Sequence, residues 1–208
     1  MSSRVSMPVA AITGLMALTA CTVVGGEAAP EPDYTVVQSA PPFEIREYGE
    51  LVVVKTSMDD GSRAAFGRLF DYISGENGGT REIAMTAPVL NAAEGEGTEI
   101  AMTAPVFQSD ADGREMIFVL TEEFTIDTAP VPTSPAVKLA TIAPRRMAVA
   151  SYSGSMNDDA PEWEAKLRAW MDANDVQATG PAEVAGYNPP WTLPAYRRNE
   201  VLIAVAVE

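Results

Sequence analysis

The order of strand and helix patterns, which occurs twice along the chain, constrains the fold more than any other feature. In the first half, the alternating segment 43–48 and the β-branched run 51–56 precede an amphipathic helix. In the second half, the alternating segment 146–152 precedes another helix, and strand patterns follow both helices. Each half is thus predicted to be a strand, a helix and then two strands. Two such halves indicate an α+β domain with pseudo-two-fold symmetry and one helix per half packed on a curved sheet.

The two predicted helices have apolar residues at helical spacing and residues typical of helix ends. Asp60 or Ser62 is positioned to cap the first helix, and Gly75 to end it. Asp158 or Asp159 is positioned to cap the second helix, which has a proline in its first turn. The apolar faces consist of Ala65, Phe66, Leu69, Phe70 and Ile73 in the first helix, and of Trp163, Leu167, Trp170 and Met171 in the second.

The sequence Ile-Ala-Met-Thr-Ala-Pro-Val occurs at residues 83–89 and again at 100–106. Its proline lacks a backbone N–H and favours an extended residue before it. We therefore predict, in each copy, a short strand that ends or bulges at the proline, with the second copy supplying a strand of the sheet. Met85 and Met102 occupy equivalent places in the two copies. Their roles, in decreasing order of expectation, are core packing, the lining of a ligand pocket and ligation of iron.

The first twenty residues have the composition of an export signal. Arg4 precedes an apolar run over 7–20, which is shorter than the roughly 20 residues that a membrane-spanning helix needs. The run ends in Leu-Thr-Ala-Cys at 18–21, which resembles a bacterial lipobox, and Cys21 is the only cysteine. We predict a signal peptide over 1–20, a lipidated Cys21 that begins a flexible tether over 21–33, and an exported, periplasm-facing protein anchored to a bacterial membrane. An ordinary signal peptide with a chance cysteine is the alternative.

The charge and the composition exclude several classes of function. The chain has 29 acidic and 14 basic residues, a net charge of −15. Such a surface repels nucleic acid and anionic lipid headgroups, so we expect no nucleic-acid partner and membrane contact only through the lipid anchor. The chain contains no histidine, which excludes Ser-His-Asp and Cys-His catalysis and histidine ligation of zinc or haem.

Five blocks of sequence follow one another between residues 43 and 201. They are Phe43-Glu44-Ile45-Arg46-x-Tyr48, Phe66-x-x-Leu69-x-x-Tyr72-Ile73-x-Gly75-x-Asn77, the doubled Ile-Ala-Met-Thr-Ala-Pro-Val, Tyr187-Asn188-Pro189-Pro190-Trp191-Thr192 and Arg197-Arg198-Asn199-Glu200-Val201. In this order they resemble the SOUL haem-binding protein family, and the resemblance extends over roughly residues 34–208.

The resemblance implies one domain over 34–208, with halves of about 34–127 and 136–208. The fold it implies is a duplicated β-α-β-β unit that forms a distorted antiparallel eight-stranded barrel with two flanking helices, similar to GyrI-like effector-binding domains. It also implies a ligand, haem or another porphyrin, held non-covalently in a shallow apolar site near the first helix. No catalytic residue and no metal ligand are predicted.

Candidate contacts for this ligand lie on the first helix, in the two repeated heptapeptides, on the proline-rich arm around residue 191 and just before the last strand. The helix residues have burial in the core as their alternative, the arm can instead pack on the barrel, and Arg197 can instead bond backbone carbonyls or nearby carboxylates at the entry to the last strand. The candidates are Phe66, Leu69, Ile73, Trp191, Met85 and Met102 for the apolar body of the ligand, and Arg63, Arg68 and Arg197 for its propionates.

The last strand carries a carboxylate, Glu200, close to Arg197 and Arg198. A salt bridge to either arginine is the expected role. A general base with a pKa raised by burial, acting beside Tyr187 or Tyr196, is the less favoured alternative.

Three functions follow in order of expectation. The first is a membrane-anchored lipoprotein that binds haem or another tetrapyrrole reversibly, without histidine ligation, for buffering or delivery. The second is a binding module for another planar or apolar small molecule. The third is a hydrolase, although the sequence shows no recognisable set of nucleophile, base and orienting group.

Overall fold

The computed structural model describes residues 30–78, 97–109, 114–188 and 191–206. The predicted signal peptide, Cys21, most of the tether and the first copy of the repeated heptapeptide, with Met85, lie outside the described residues.

The described residues form eleven strands, two α-helices and one short 3₁₀ helix at Pro194–Tyr196. The elements are β1 (Tyr34–Ala40), β2 (Phe43–Tyr48), β3 (Leu51–Ser57), α1 (Ser62–Ile73), β4 (Asn77–Gly78), β5 (Val106–Ser109), β6 (Glu115–Val119), β7 (Val131–Pro132), β8 (Lys138–Ile142), β9 (Arg145–Tyr152), α2 (Ala160–Ala173), β10 (Ala178–Gly186) and β11 (Asn199–Val205).

Nine strands make one antiparallel sheet in the order β1-β2-β9-β11-β10-β5-β6-β3-β8, and β4 pairs with β7 separately. The predicted α+β class with two helices on an antiparallel sheet is confirmed. The predicted count of eight strands is wrong, because β1 pairs with β2 as an additional edge strand. The sheet is open in its described part, with β1 and β8 at its edges.

The predicted strand, helix and two strands occur as β3-α1-β5-β6 and as β9-α2-β10-β11, and one further strand precedes each unit. The order strand-strand-helix-strand-strand occurs as β2-β3-α1-β5-β6 and again as β8-β9-α2-β10-β11. Within each unit, three strands are neighbours: β5-β6-β3 in the first and β10-β11-β9 in the second, and the two sets join between β5 and β10. The leading strands are exchanged, since β2 pairs with β9 and β8 pairs with β3.

Side-chain alternation along the strands divides the core into three clusters. α1 packs on β3 and β6, and α2 packs on β9, β10 and β11. The interior cluster, on the sheet face away from the helices, consists of Tyr48, Leu51, Val53, Ala104, Phe107, Ile117, Val119, Met147, Val149, Ala185, Tyr187 and Leu202. The α1 cluster includes Val54, Ala65, Leu69, Tyr72, Ile73, Ile100 and Phe118. The α2 cluster includes Ile45, Ala148, Leu167, Met171, Val201 and Ile203.

The second copy of the repeated heptapeptide does supply a strand, but that strand begins after the proline instead of ending at it. β5 starts at Val106, whereas the preceding N–H groups bond outside the sheet: Ile100 donates to Ile73 O at 2.7 Å and Ala104 to Pro30 O at 2.9 Å. The Asn77 side chain braces the approach to this segment by bonding Tyr72 O and Thr98 O. Backbone pairing with other segments therefore replaces the predicted strand.

The helix ends differ from the predicted caps. Neither helix has a side-chain hydrogen bond at its N-cap, which is Gly61 in α1 and Asp159 in α2. The Asp159 carboxylate instead accepts a bond from Ser155 N–H at 2.7 Å. Gly75 follows the end of α1 with a φ of 108°, which is the left-handed conformation expected of a helix terminator. No helix in the described ranges is long and apolar enough to cross a membrane.

Candidate functional site

Glu200 lies at the centre of a buried network of charged and hydroxyl groups. Its side chain is 0% exposed and points to the same sheet face as Leu202 of the interior cluster. Arg46, on β2, donates to both carboxylate oxygens, at 3.0 Å from Nη1 and 3.1 Å from Nη2. Because β9 lies between β2 and β11, this ion pair spans three strands.

Three further groups bond the Glu200 carboxylate. The Tyr187 hydroxyl donates to Oε2 at 2.5 Å, and the Ser151 hydroxyl donates to Oε1 at 3.1 Å. Arg198 donates to Oε1 at 3.2 Å through Nη2. Arg198 also pairs with Glu31 at 2.8 Å, and its guanidinium lies 3.9 Å from the centre of the Tyr187 ring. The network therefore reaches the chain that precedes β1.

Arg46 is almost as enclosed as its partner. It donates to Glu44 at 2.7 Å and to the Tyr48 hydroxyl at 3.3 Å, and its guanidinium lies 4.3 Å from the centre of the Tyr34 ring. Tyr34 and Tyr48 also pack on each other across β1 and β2. This guanidinium thus contacts two carboxylates, a hydroxyl and an aromatic ring.

The charges of the network set its pKa values. Burial raises the pKa of Glu200, but the Arg46 charge, the Tyr187 hydroxyl and Arg198 together lower it below its ordinary value. Burial raises the pKa of Tyr48 to about 12. Burial and the neighbouring Glu200 raise the pKa of Tyr187 well above its ordinary value. At neutral pH both tyrosines remain hydroxyl donors and Glu200 remains an anion.

The sequence predictions for Glu200 are met in part. The salt bridge to Arg198 is confirmed, whereas the raised pKa is wrong because two arginines stabilise the carboxylate. A fully buried carboxylate with a lowered pKa is a poor general base. Tyr196, one of the two tyrosines considered beside a catalytic Glu200, is 53% exposed, whereas Glu200 is fully buried. Arg46 was missed, although the aromatic Tyr48 two residues on signals that its side of β2 is not simply solvent-facing.

One side of α1 carries a stripe that we call the α1 stripe. It is formed by the exposed Arg63 and Phe70 and by the half-buried Phe66 and Gly67. These residues are spaced i, i+3, i+4 and i+7, so they share one side of the helix. The rings of Phe66 and Phe70 stack with centroids 6.0 Å apart, and Phe70 is 44% exposed. Arg63 is exposed, and no hydrogen bond or ion pair with another described residue engages its guanidinium.

Gly67 leaves the middle of the α1 stripe bare. A Cβ atom built at this position would meet nothing within 4 Å, so packing does not require glycine here. Glycine inside a helix costs roughly 0.5–1 kcal/mol relative to alanine. The missing side chain leaves open space beside the helix at Gly67.

The structure separates the other predicted ligand contacts from this stripe. Leu69 and Ile73 are buried in the α1 cluster. Arg68 is held by Asp60, at 2.5 Å, and by Thr56 and Ser57. Of the remaining candidates, Trp191 is 69% exposed, Met102 is 38% exposed, and Arg197 donates to Thr192 O at 2.8 Å.

No group of three or more metal-ligating side chains occurs within the ranges that the structure describes. The fold is similar to that of solved proteins of the EcmrR and GyrI-like type. A cryo-EM structure of EcmrR in its DNA complex aligns with a TM-score of 0.53 at 14% identity, over 78% of this chain and 56% of that one. An uncharacterized conserved protein from Listeria innocua aligns with a TM-score of 0.52 at 14% identity, over 86% and 94% of the two chains.

A hydrolase from Listeria innocua gives a TM-score of 0.50 at 15% identity, again over 86% and 94%. At these identities the likeness concerns the fold alone. A comparison with curated proteins found no match. The family described as SOUL heme-binding protein matches residues 29–204, which is most of the chain. The protein therefore belongs to the SOUL heme-binding family, as the five sequence blocks indicated.

Replacing Glu200 by glutamine should strongly destabilise the fold. The amide cannot compensate the buried charge of Arg46, and removing one partner of a buried ion pair costs about 3–5 kcal/mol. Urea unfolding followed by tryptophan fluorescence measures the loss. Glu47→Gln is the matched control, since Glu47 pairs with Arg146 at a 45% exposed position and should cost under about 1 kcal/mol. Equal losses in the two variants would contradict the central role of Glu200.

The lowered pKa of Glu200 gives this loss a defined pH dependence. A carboxyl whose pKa is lower in the folded protein stabilises the fold above its ordinary value of 4.5, and this contribution disappears as the pH falls through the folded value. The stability difference between the natural protein and Glu200→Gln should be constant near neutral pH and shrink below pH 4.5. A difference that widened on acidification would show that the pKa is raised.

Proposed function

We propose that the protein binds haem or another tetrapyrrole non-covalently and reversibly on the α1 stripe. Membership of the SOUL heme-binding family carries this proposal. The stripe supports it with a stacked pair of rings, a bare helix surface at Gly67 and a cation at one end. A porphyrin has a flat apolar body and propionates at one edge, which is the same arrangement of chemistry.

The residues present fit the porphyrin more clearly than they fit its iron. The Arg63 guanidinium is available to a propionate, and Phe66 and Phe70 to the ring system. Haem would supply an iron that takes axial ligands, but the chain contains no histidine. Binding should therefore depend on apolar packing and on the propionate contact. Trp191, Arg197 and Met102 remain predicted contacts from outside the stripe.

Titration of the purified full-length chain with haemin tests this proposal. We expect a saturable change in the Soret band and quenching of tryptophan fluorescence. Metal-free protoporphyrin should bind within a few-fold of haemin, because no histidine ligates the iron. The absence of saturable binding by both compounds would overturn tetrapyrrole binding. Much stronger binding of haemin than of protoporphyrin would overturn the packing-based mode.

Variants of the α1 stripe locate the site in the same titration. Phe70→Ala should weaken binding about 2–10-fold, the loss expected for one aromatic contact. Gly67→Ala should raise the free energy of unfolding by about 0.5–1 kcal/mol and yet weaken binding, because the added methyl fills the open space.

Arg63→Gln tests the contact with the propionates. It should weaken the binding of haemin but not the binding of an esterified porphyrin. Arg114→Gln is the control at an exposed position elsewhere, and a loss confined to it would exclude the stripe.

A second candidate is binding of another planar or apolar small molecule, which the absence of histidine favours over classical haem ligation. Mass spectrometry of compounds that co-purify with the native protein separates the two. A porphyrin as the only bound compound would count against this alternative.

We also propose that the protein is a lipoprotein attached to a bacterial membrane through Cys21 and facing the periplasm. The support is the lipobox-like sequence that ends an apolar run and the absence of any other cysteine. Cys21→Ala should release the protein from the membrane fraction. Ser6→Ala in the signal region is the control and should leave fractionation unchanged. Membrane association that persists in Cys21→Ala would contradict the anchor.

A further inference from the structure

A groove of about 640 Å³ lies where the interior cluster reaches the surface, and no residue of α1 is among its described lining residues. Its floor is apolar and contains Leu51 and Val119 of the interior cluster, together with Val52, Leu120 and Phe124. The volume lies within the roughly 300–1,000 Å³ typical of small-molecule sites. We call this the acidic groove because of the residues around its floor.

Four carboxylates border the acidic groove: Glu31, Asp33, Glu50 and Glu122. Glu31 is compensated by its ion pair with Arg198. Asp33, Glu50 and Glu122 are exposed, and no ion pair or hydrogen bond with another described residue engages their carboxylates. No lysine or arginine is among the described residues that line the groove. Three negative charges thus border an apolar floor without a cationic partner among the described residues.

The charge of the groove decides which occupants it favours. Carboxylates beside an apolar wall act through a lower effective dielectric than in water, and a cleft of one sign concentrates the field within it. The net charge of −15 adds to the same sign. An anionic molecule, including a tetrapyrrole with two propionates, would be repelled here. An apolar body that carries a positive charge is attracted by both the floor and the border.

We propose that the acidic groove is a second binding site, for a compact apolar organic cation. The apolar body of the ligand covers Leu51, Val52 and Phe124, and its charged group lies near Glu50 and Glu122. This site does not rest on the proposed tetrapyrrole site, because it uses different residues and takes a ligand of opposite charge. Its apolar contacts supply affinity, and its carboxylates supply selectivity for charge.

Three fluorescent probes that share one ring system test the proposal on the full-length chain. They are 1-pyrenemethylamine, which is a cation, 1-pyrenemethanol, which is neutral, and 1-pyrenecarboxylate, which is an anion. Titration at low salt should give affinities in the order cation, neutral and anion, with the cation at least about 10-fold tighter than the anion. The cation's advantage should shrink at about 0.5 M salt, where exposed charges are screened.

Variants of the border and the floor separate charge from packing. The double variant Glu50→Gln/Glu122→Gln should weaken the binding of the cation by about 2–10-fold and leave the affinity for the neutral probe unchanged. Phe124→Ala should weaken the binding of all three probes. Asp71→Asn/Asp172→Asn removes two exposed carboxylates elsewhere and controls for net charge, and Phe70→Ala controls for pyrene binding on the α1 stripe.

Two results would overturn the proposal. One is equal affinity for the cation and the anion. The other is a loss of cation binding in the Asp71→Asn/Asp172→Asn control that matches the loss in Glu50→Gln/Glu122→Gln, since the effect would then come from net charge alone. If haemin binding fails while the cation binds the groove, the tetrapyrrole proposal falls and this one stands.

Discussion

The ion pair between Arg46 and Glu200 is the interaction on which the packing of the central strands depends. Taking two charges out of water is costly, and the cost is offset only when each remaining donor and acceptor finds a partner. Glu200 does so through Tyr187, Ser151 and Arg198, and Arg46 through carboxylate, hydroxyl and aromatic neighbours. Only one register of β2, β9 and β11 brings these groups together, so the network specifies strand pairing as well as contributing stability.

Both helices and the strands β2, β3, β6, β9 and β11 were predictable, because burial of one face gives a helix or a strand a regular spacing of apolar residues. β1 carries no such period, since most of its residues are exposed at the sheet edge. β8 was not predicted, because its five residues alternate only weakly between buried and exposed. The exchange of β2 and β8 between the halves was not predictable either, because the choice of a partner strand depends on residues about a hundred positions away.

The candidate site shows the same division between local and non-local information. Phe66 was correctly placed on α1, but spacing alone cannot tell which residues of an apolar helix face meet the sheet, and Leu69 proves to be core. Gly67 would ordinarily be passed over as a weak helix residue, and only the empty space beside it suggests a use. The acidic groove is assembled from four separate segments, so no single stretch of sequence predicts it.

The exchange of strands makes each half depend on the other to complete its sheet. Neither half can complete its four-stranded layer from its own chain, because each takes its outer strand from the other. Synthesis of the first half alone leaves β3 without its β8 neighbour and β2 without β9. Productive folding must therefore wait until the chain has been made as far as β9, and the transition state is expected to form through long-range pairing at a cost in loop entropy.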